Sequence, residues 1–146
     1  KKEIPKANAK VMQLDLGSLN SVRRFTEEFK KNYSRLDVLL NNAGIMADPY
    51  RTTEDGFETH VGINHLGHFA LTGLLQDLII KTPKARVVSV SSTGHSFGKM
   101  DFDNFLFEGG KGYSRFGAYG RSKLANLLFT YELDRRFKKS DIDTSG

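Results

Sequence analysis

The sequence predicts an α/β fold built on a doubly wound parallel sheet with flanking helices. Three observations lead there. Short apolar runs at 10–14, 37–40 and 86–90 have the length and composition of strands. Longer segments with apolar residues at helical spacing separate them. Two of the runs end abruptly in small and polar residues, Asn-Asn-Ala-Gly at 41–44 and Ser-Ser-Thr-Gly at 91–94. Small residues at the carboxyl end of a parallel strand let a flat ligand lie against the backbone, which is where open α/β sheets bind.

The elements follow in order. The strand at 10–14 leads through Asp15 to a helix over 18–33, with Ser18 or Asn20 as its N-cap and Val22, Phe25 and Phe29 as its buried stripe. The second strand covers 37–40. A loop at 47–51 precedes a short helix start at 53–57. A long helix over 60–80 contains Gly62, Gly67 and Gly73, and close packing is a sound reason for glycine there. Pro83 ends that region, and the third strand covers 86–90. Residues 94–117 read as a long polar and aromatic loop, a type that is often functional. The last helix covers 118–138. No repeat, linker or second domain interrupts the chain.

Composition narrows the function. Hydrophobic residues make up 38% and charged residues 27%, as in a globular domain. The net charge is +5, but Glu27, Glu28, Glu132 and Asp134 interleave with the basic residues, so solvated helix faces explain it better than a nucleic-acid surface. With no cysteine there is no disulfide or thiolate zinc site, and the four histidines form no recognisable metal set.

The chemistry centres on Tyr119 and Lys123. At i and i+4 on one helix, a phenol and an ammonium share a face. A nearby cation favours phenolate, which suits a tyrosine to general acid/base work. Alone the pair is ordinary. It gains meaning from the segments before it: a hydroxyl pair, Ser91 and Ser92, after the third strand, and Asn64 inside an apolar helix, where an amide needs partners. Those partners are either backbone groups or a water chain leading to the lysine.

LDL at 14–16, NNAG at 41–44, NHLGHF at 64–69, VSSTG at 90–94 and YGRSK at 119–123, in this order, resemble the short-chain dehydrogenase/reductase superfamily. NHLGHFALT and SKLANLLFTYELDRRF resemble its retinol-dehydrogenase-like and WW-domain-oxidoreductase-like branch, as does the 27-residue interval from Ser92 to Tyr119. The resemblance implies a partial Rossmann fold and an oxidoreductase that moves a hydride between NAD(P)(H) and a small alcohol, aldehyde or ketone, with NADP favoured over NAD. By the same resemblance Tyr119 handles the proton. Lys123 lowers its pKa and binds the nicotinamide ribose, Ser92 holds the substrate oxygen, and Asn64 orders a water. Asp15 contacts the adenine edge, and Asn42, Ala43 and Gly44 line the adenosine ribose. A homodimer built through the helices of Asn64 and Tyr119, with Leu124, Leu127, Leu128 and Tyr131 on its surface, is implied too. Cytoplasmic placement is expected, and membrane association of a longer parent stays open.

One departure matters. The family begins with a strand and a glycine-rich turn, TGxxxGIG, that seats the pyrophosphate on a helix N-terminus. This sequence contains none. Residues 1–146 therefore read as the central part of one NAD(P)-binding Rossmann domain, expected to be inactive in isolation. The alternative is a catalytically silent binding or dimerisation piece.

Overall fold

The computed structural model describes residues 8–139. Helix α1 (Leu19–Asn32) begins at Ser18, whose Oγ accepts from the Ser21 amide, and ends with Lys30 and Lys31 at its negative dipole end. Val22 on its inner face is fully buried. Strand β1 (Val38–Asn41) pairs in parallel with β2 (Arg86–Ser89), Val38 opposite Arg86 and Asn41 opposite Ser89. Between them lie α2 (Thr59–Val61), a π-helical turn (Gly62–Gly67), α3 (His68–Leu74) and α4 (Gln76–Lys81). After β2 come two 3-10 turns, Thr93–Phe97 and Glu108–Gly110, and then α5 (Arg115–Lys139).

The core sits on one face of the two-stranded sheet. Leu39 of β1 joins Leu16, Val22, Leu71, Leu75, Leu78, Ile79, Ala85 and Phe137. Alternation along a strand sends its neighbours the other way, and Val38, Leu40 and Val88 are exposed. Full burial of such a side chain contributes about 1.5–3 kcal/mol, which these three forgo.

Four expectations need correction. Residues 10–14 form no strand: no strand lies beside them among the described residues, and an isolated strand leaves its backbone donors and acceptors without a ladder, so Val11 is 99% exposed. Residues 53–57 form a tight hairpin rather than a helix start. The Thr53 amide donates to the Phe57 carbonyl at 2.7 Å, and Gly56 takes a φ of 82°, a conformation that ends helices. The helix over 60–80 is broken into pieces by the π turn and by Leu75. Close packing does explain two of its glycines. A Cβ on Gly67 would lie 2.5 Å from the Leu16 carbonyl oxygen, and one on Gly62 would lie 2.6 Å from Thr53 Cγ2; Gly73 has no such neighbour. Finally, α5 starts at Arg115, three residues early, because Ser114 Oγ accepts from the Gly117 amide.

Candidate active site

The π turn places Asn64 where three segments meet. Its Oδ1 accepts from the Ile45 amide at 2.8 Å, and its Nδ2 donates to the Ile45 carbonyl at 3.0 Å and to Ser122 Oγ at 2.9 Å. The amide therefore acts as a brace between the segment that follows β1 and helix α5. Its side chain thus takes both backbone groups of Ile45 and the Ser122 hydroxyl. Its own carbonyl lies 3.0 Å from His68 Nδ1, which donates to it.

Ser122 passes the brace on, donating to the Tyr119 carbonyl at 2.7 Å. Ser91 Oγ donates to the Lys123 carbonyl at 2.8 Å, tying β2 to the same turn of α5. Ser92 caps the turn Thr93–Phe97, its Oγ accepting from the Gly94 amide at 3.1 Å. That turn lies flat on α5: a Cβ on Gly94 would sit 2.9 Å from Tyr119 Cε1, and one on Gly120 would sit 2.8 Å from the Gly94 carbonyl oxygen. Gly94 thus links Ser92, which accepts from its amide, to the Tyr119 ring, against which it packs.

Lys123 is only 5% exposed. Its Nζ donates to the Val90 carbonyl at 3.3 Å and lies 5.7 Å from the centre of the Tyr119 ring. No carboxylate pairs with it among the described residues, and two of its three N–H donors have no hydrogen-bond partner there. Gly44 comes close, since a Cβ there would lie 2.9 Å from Asn64 Oδ1 and 3.5 Å from Lys123 Nζ. Asn42, Ala43 and Gly44 are exposed at the carboxyl end of β1, and the Asn41 side chain before them is buried, donating to Thr72 Oγ1 at 2.9 Å. Asp15 belongs to a separate turn. Its Oδ1 accepts from the Gly17 amide at 2.8 Å, and its own amide donates to Ser21 Oγ at 3.0 Å.

The two histidines nearby are held neutral. Burial pushes the pKa of His65 and of His68 down; bonds to Asn126 and to the Asn64 carbonyl oppose the shift, and the Lys123 charge adds to it for His68.

A family model for short chain dehydrogenases matches residues 1–105 of the sequence. The chain belongs to the short-chain dehydrogenase family. Within it the likeness is to the retinol-dehydrogenase branch. Human retinol dehydrogenase 14 is 49% identical over 132 residues, covering 90% of this chain and 39% of that protein. Human retinol dehydrogenase 12 is 49% identical over 134 residues, covering 92% and 42%. The chain therefore spans about two fifths of the length of the curated relatives it matches. Among solved structures, a protein from Mycobacterium paratuberculosis aligns with a TM-score of 0.80 at 50% identity, over 90% of this chain and 46% of that one. A short chain dehydrogenase from Escherichia coli CFT073, crystallised with NADPH, shares the fold with a TM-score of 0.70 at 22% identity, over 94% and 54%.

In this short-chain dehydrogenase chain the sequence reading missed several residues around the site. Ser122 and Arg121 lie inside the YGRSK segment and are both buried. Their signal was the run of small residues on α5, Gly117, Ala118, Gly120, Ser122 and Ala125, which marks a helix face under close packing. The buried pair Glu58 and His60 was missed as well. It had no motif beyond a glutamate standing just before a helix.

Proposed function

We propose that this chain supplies the proton-handling half of an NAD(P)-dependent alcohol/carbonyl oxidoreductase. The observation that carries the reading is Lys123: a buried ammonium that, among the described residues, has no carboxylate and two donors without a partner, beside Tyr119 and Gly44. A buried cation with spare donors is costly unless a ligand completes it. Ribose hydroxyls have the chemistry to do so. The residues present thus fit the nicotinamide-ribose end of the cofactor, which when bound supplies or takes the hydride. Tyr119 then gives a proton to the substrate oxygen in reduction, or takes one in oxidation. Ser92 donates to that same oxygen, and Lys123 holds positive charge beside the phenolate that results.

The names of the retinol dehydrogenase relatives support retinol and its aldehyde as the first substrates to test, with NADP tried before NAD. The exposed Phe69, Leu128 and Tyr131 on α3 and α5 support a homodimer through those helices. A second reading, a silent binding piece, is favoured for the 146 residues alone by one observation: they contain no glycine-rich strand–turn–helix for a pyrophosphate.

The deciding experiment uses the full-length natural chain. Tyr119→Phe keeps the ring and removes the proton, and should lower kcat by about 100-fold or more with cofactor affinity kept. Lys123→Met should weaken both turnover and cofactor binding, whereas Lys138→Met, which breaks only an exposed pair with Asp134, should change neither. Turnover near wild type for Tyr119→Phe, or equal effects from the two lysine changes, would overturn the assignment.

A further inference from the structure

Outside the Tyr119 and Lys123 cluster, one heavily bonded side chain in this region is Arg121. It lies on α5 between them in sequence and is buried. Its Nε donates to the Lys99 carbonyl at 2.8 Å, and its Nη1 donates to the carbonyls of Asn104 and Phe105 at 2.6 and 2.9 Å. The guanidinium also stacks on Phe107, 3.9 Å from the ring centre. A planar fork serving three carbonyls from one segment is a task that a lysine, with a single point charge, does poorly.

The contacts continue beyond Phe107. Its ring meets Tyr113 edge-on at 5.6 Å, and Tyr113 meets Tyr50 edge-on at 5.3 Å. The Tyr113 hydroxyl donates to the Asp48 carbonyl at 2.5 Å. The Asp48 amide donates to His60 Nε2 at 3.2 Å, and His60 Nδ1 donates to Glu58 Oε1 at 2.7 Å. Glu58 and His60 are both fully buried, and Glu58 also accepts from the His60 and Val61 amides. The acceptor role of Nε2 toward the Asp48 amide leaves Nδ1 as the donor to Glu58, so His60 is a strut held by a carboxylate.

This chain of contacts joins the two segments that leave the site. Residues 99–113 follow the turn that packs on Tyr119, and residues 47–51 follow Gly44, which faces Asn64 and Lys123 with no room for a side chain between. The first segment carries Phe102 into solvent, and Phe97 and Met46, exposed as well, stand just before the two segments. We infer that Arg121 is a positioning residue: through Phe107, Tyr113, His60 and Glu58 it clasps segments 99–113 and 47–51 into one wall, which sets how a substrate's non-reacting part lies against the site. The last clause rests on the oxidoreductase reading above; the clasp itself does not.

The test uses the full-length chain with NADP(H), and has two arms. In the first, amide hydrogen exchange is compared for wild type, Arg121→Lys, Phe107→Leu and Tyr113→Phe. Exchange in 99–107 and in 47–51 should speed up together, tenfold or more, in Arg121→Lys and Phe107→Leu, while α5 stays protected. Tyr113→Phe should loosen 47–51 alone. In the second arm, the same proteins reduce a three-carbon and a ten-carbon aldehyde. KM for the long aldehyde should rise tenfold or more with kcat for the short one within about twofold. Three results would overturn the inference: full rescue by Arg121→Lys, loosening of 99–107 with 47–51 unmoved in both Arg121→Lys and Phe107→Leu, or equal losses on the two aldehydes. Arg121→Lys keeps the charge and Phe107→Leu keeps the guanidinium, so one remains informative if the other fails to fold. A wild-type protein that reduces neither aldehyde would sink the oxidoreductase reading, while the exchange arm would still decide the clasp.

Discussion

Two cations two residues apart on α5 are buried on different terms. Arg121 meets three carbonyls and a ring, and its charge is spent on structure; Lys123 meets one carbonyl and keeps donors in reserve. Only the lysine was legible beforehand, because its spacing from Tyr119 belongs to a pattern, whereas an arginine inside a helix reads as a solvated charge until its partners are known. Asn64 was half legible: an amide in an apolar helix demanded partners, but nothing local named Ile45 and Ser122. The histidines give this scale a pH dependence. His65 and His68 have folded pKa values held below the ordinary 6.5, mainly by burial. Below pH 6.5 the unfolded chain therefore binds more protons than the folded one, and stability falls as pH falls. Glu58, kept below its usual range by its bonds to His60 and Val61 against the cost of burial, adds a further loss below about pH 4.5. The melting temperature should be lower at pH 5.5 than at pH 7.5, and His68→Gln should flatten that slope; an unchanged melting temperature across the interval would count against buried neutral histidines.

Among the elements, β1, β2 and α1 were readable because each satisfies its needs locally or with a partner inside the chain. The stretch at 10–14 has the pattern of a strand but no partner among the described residues, and pattern alone does not make a ladder. The hairpin at 53–57 and the π turn depend on contacts from elsewhere: Gly67 seats the Leu16 backbone, and Thr53 packs on Gly62. Gly67 and Leu16 stand 51 positions apart, so no short window of sequence holds both sides of that contact. The faces of α3 and α5 away from the core also belong to this scale. Phe69 meets Phe129 and His65 there, fixing how the two helices cross, while Tyr131 remains 70% exposed. Tyr131→Glu on the full-length chain should leave the circular dichroism unchanged and shift the mass in light scattering from dimer to monomer. A monomer before the substitution would remove the dimer proposal.

At the scale of the whole molecule, the α/β class and the parallel pairing were visible in the sequence, and so was the absence of a glycine-rich phosphate turn. The bareness of one sheet face was not, because Val38 and Leu40 look like core in any alternating pattern. The 146-residue chain by itself should bind NADP or NAD weakly, with a dissociation constant above about 1 mM by calorimetry, and should show no turnover on an alcohol and aldehyde panel. Micromolar binding with turnover would mean that these residues hold a cofactor without the usual phosphate seat. The sheet has a kinetic side as well. Val38 pairs with Arg86, 48 positions later, and a parallel pair cannot close until the crossover between the strands is complete. At synthesis rates of about 5–20 residues per second, β1 waits roughly 2–10 seconds for its partner. In that interval the edge of β1 that will take β2 is open, so the nascent chain carries an unpaired strand edge until residues 86–89 have been translated.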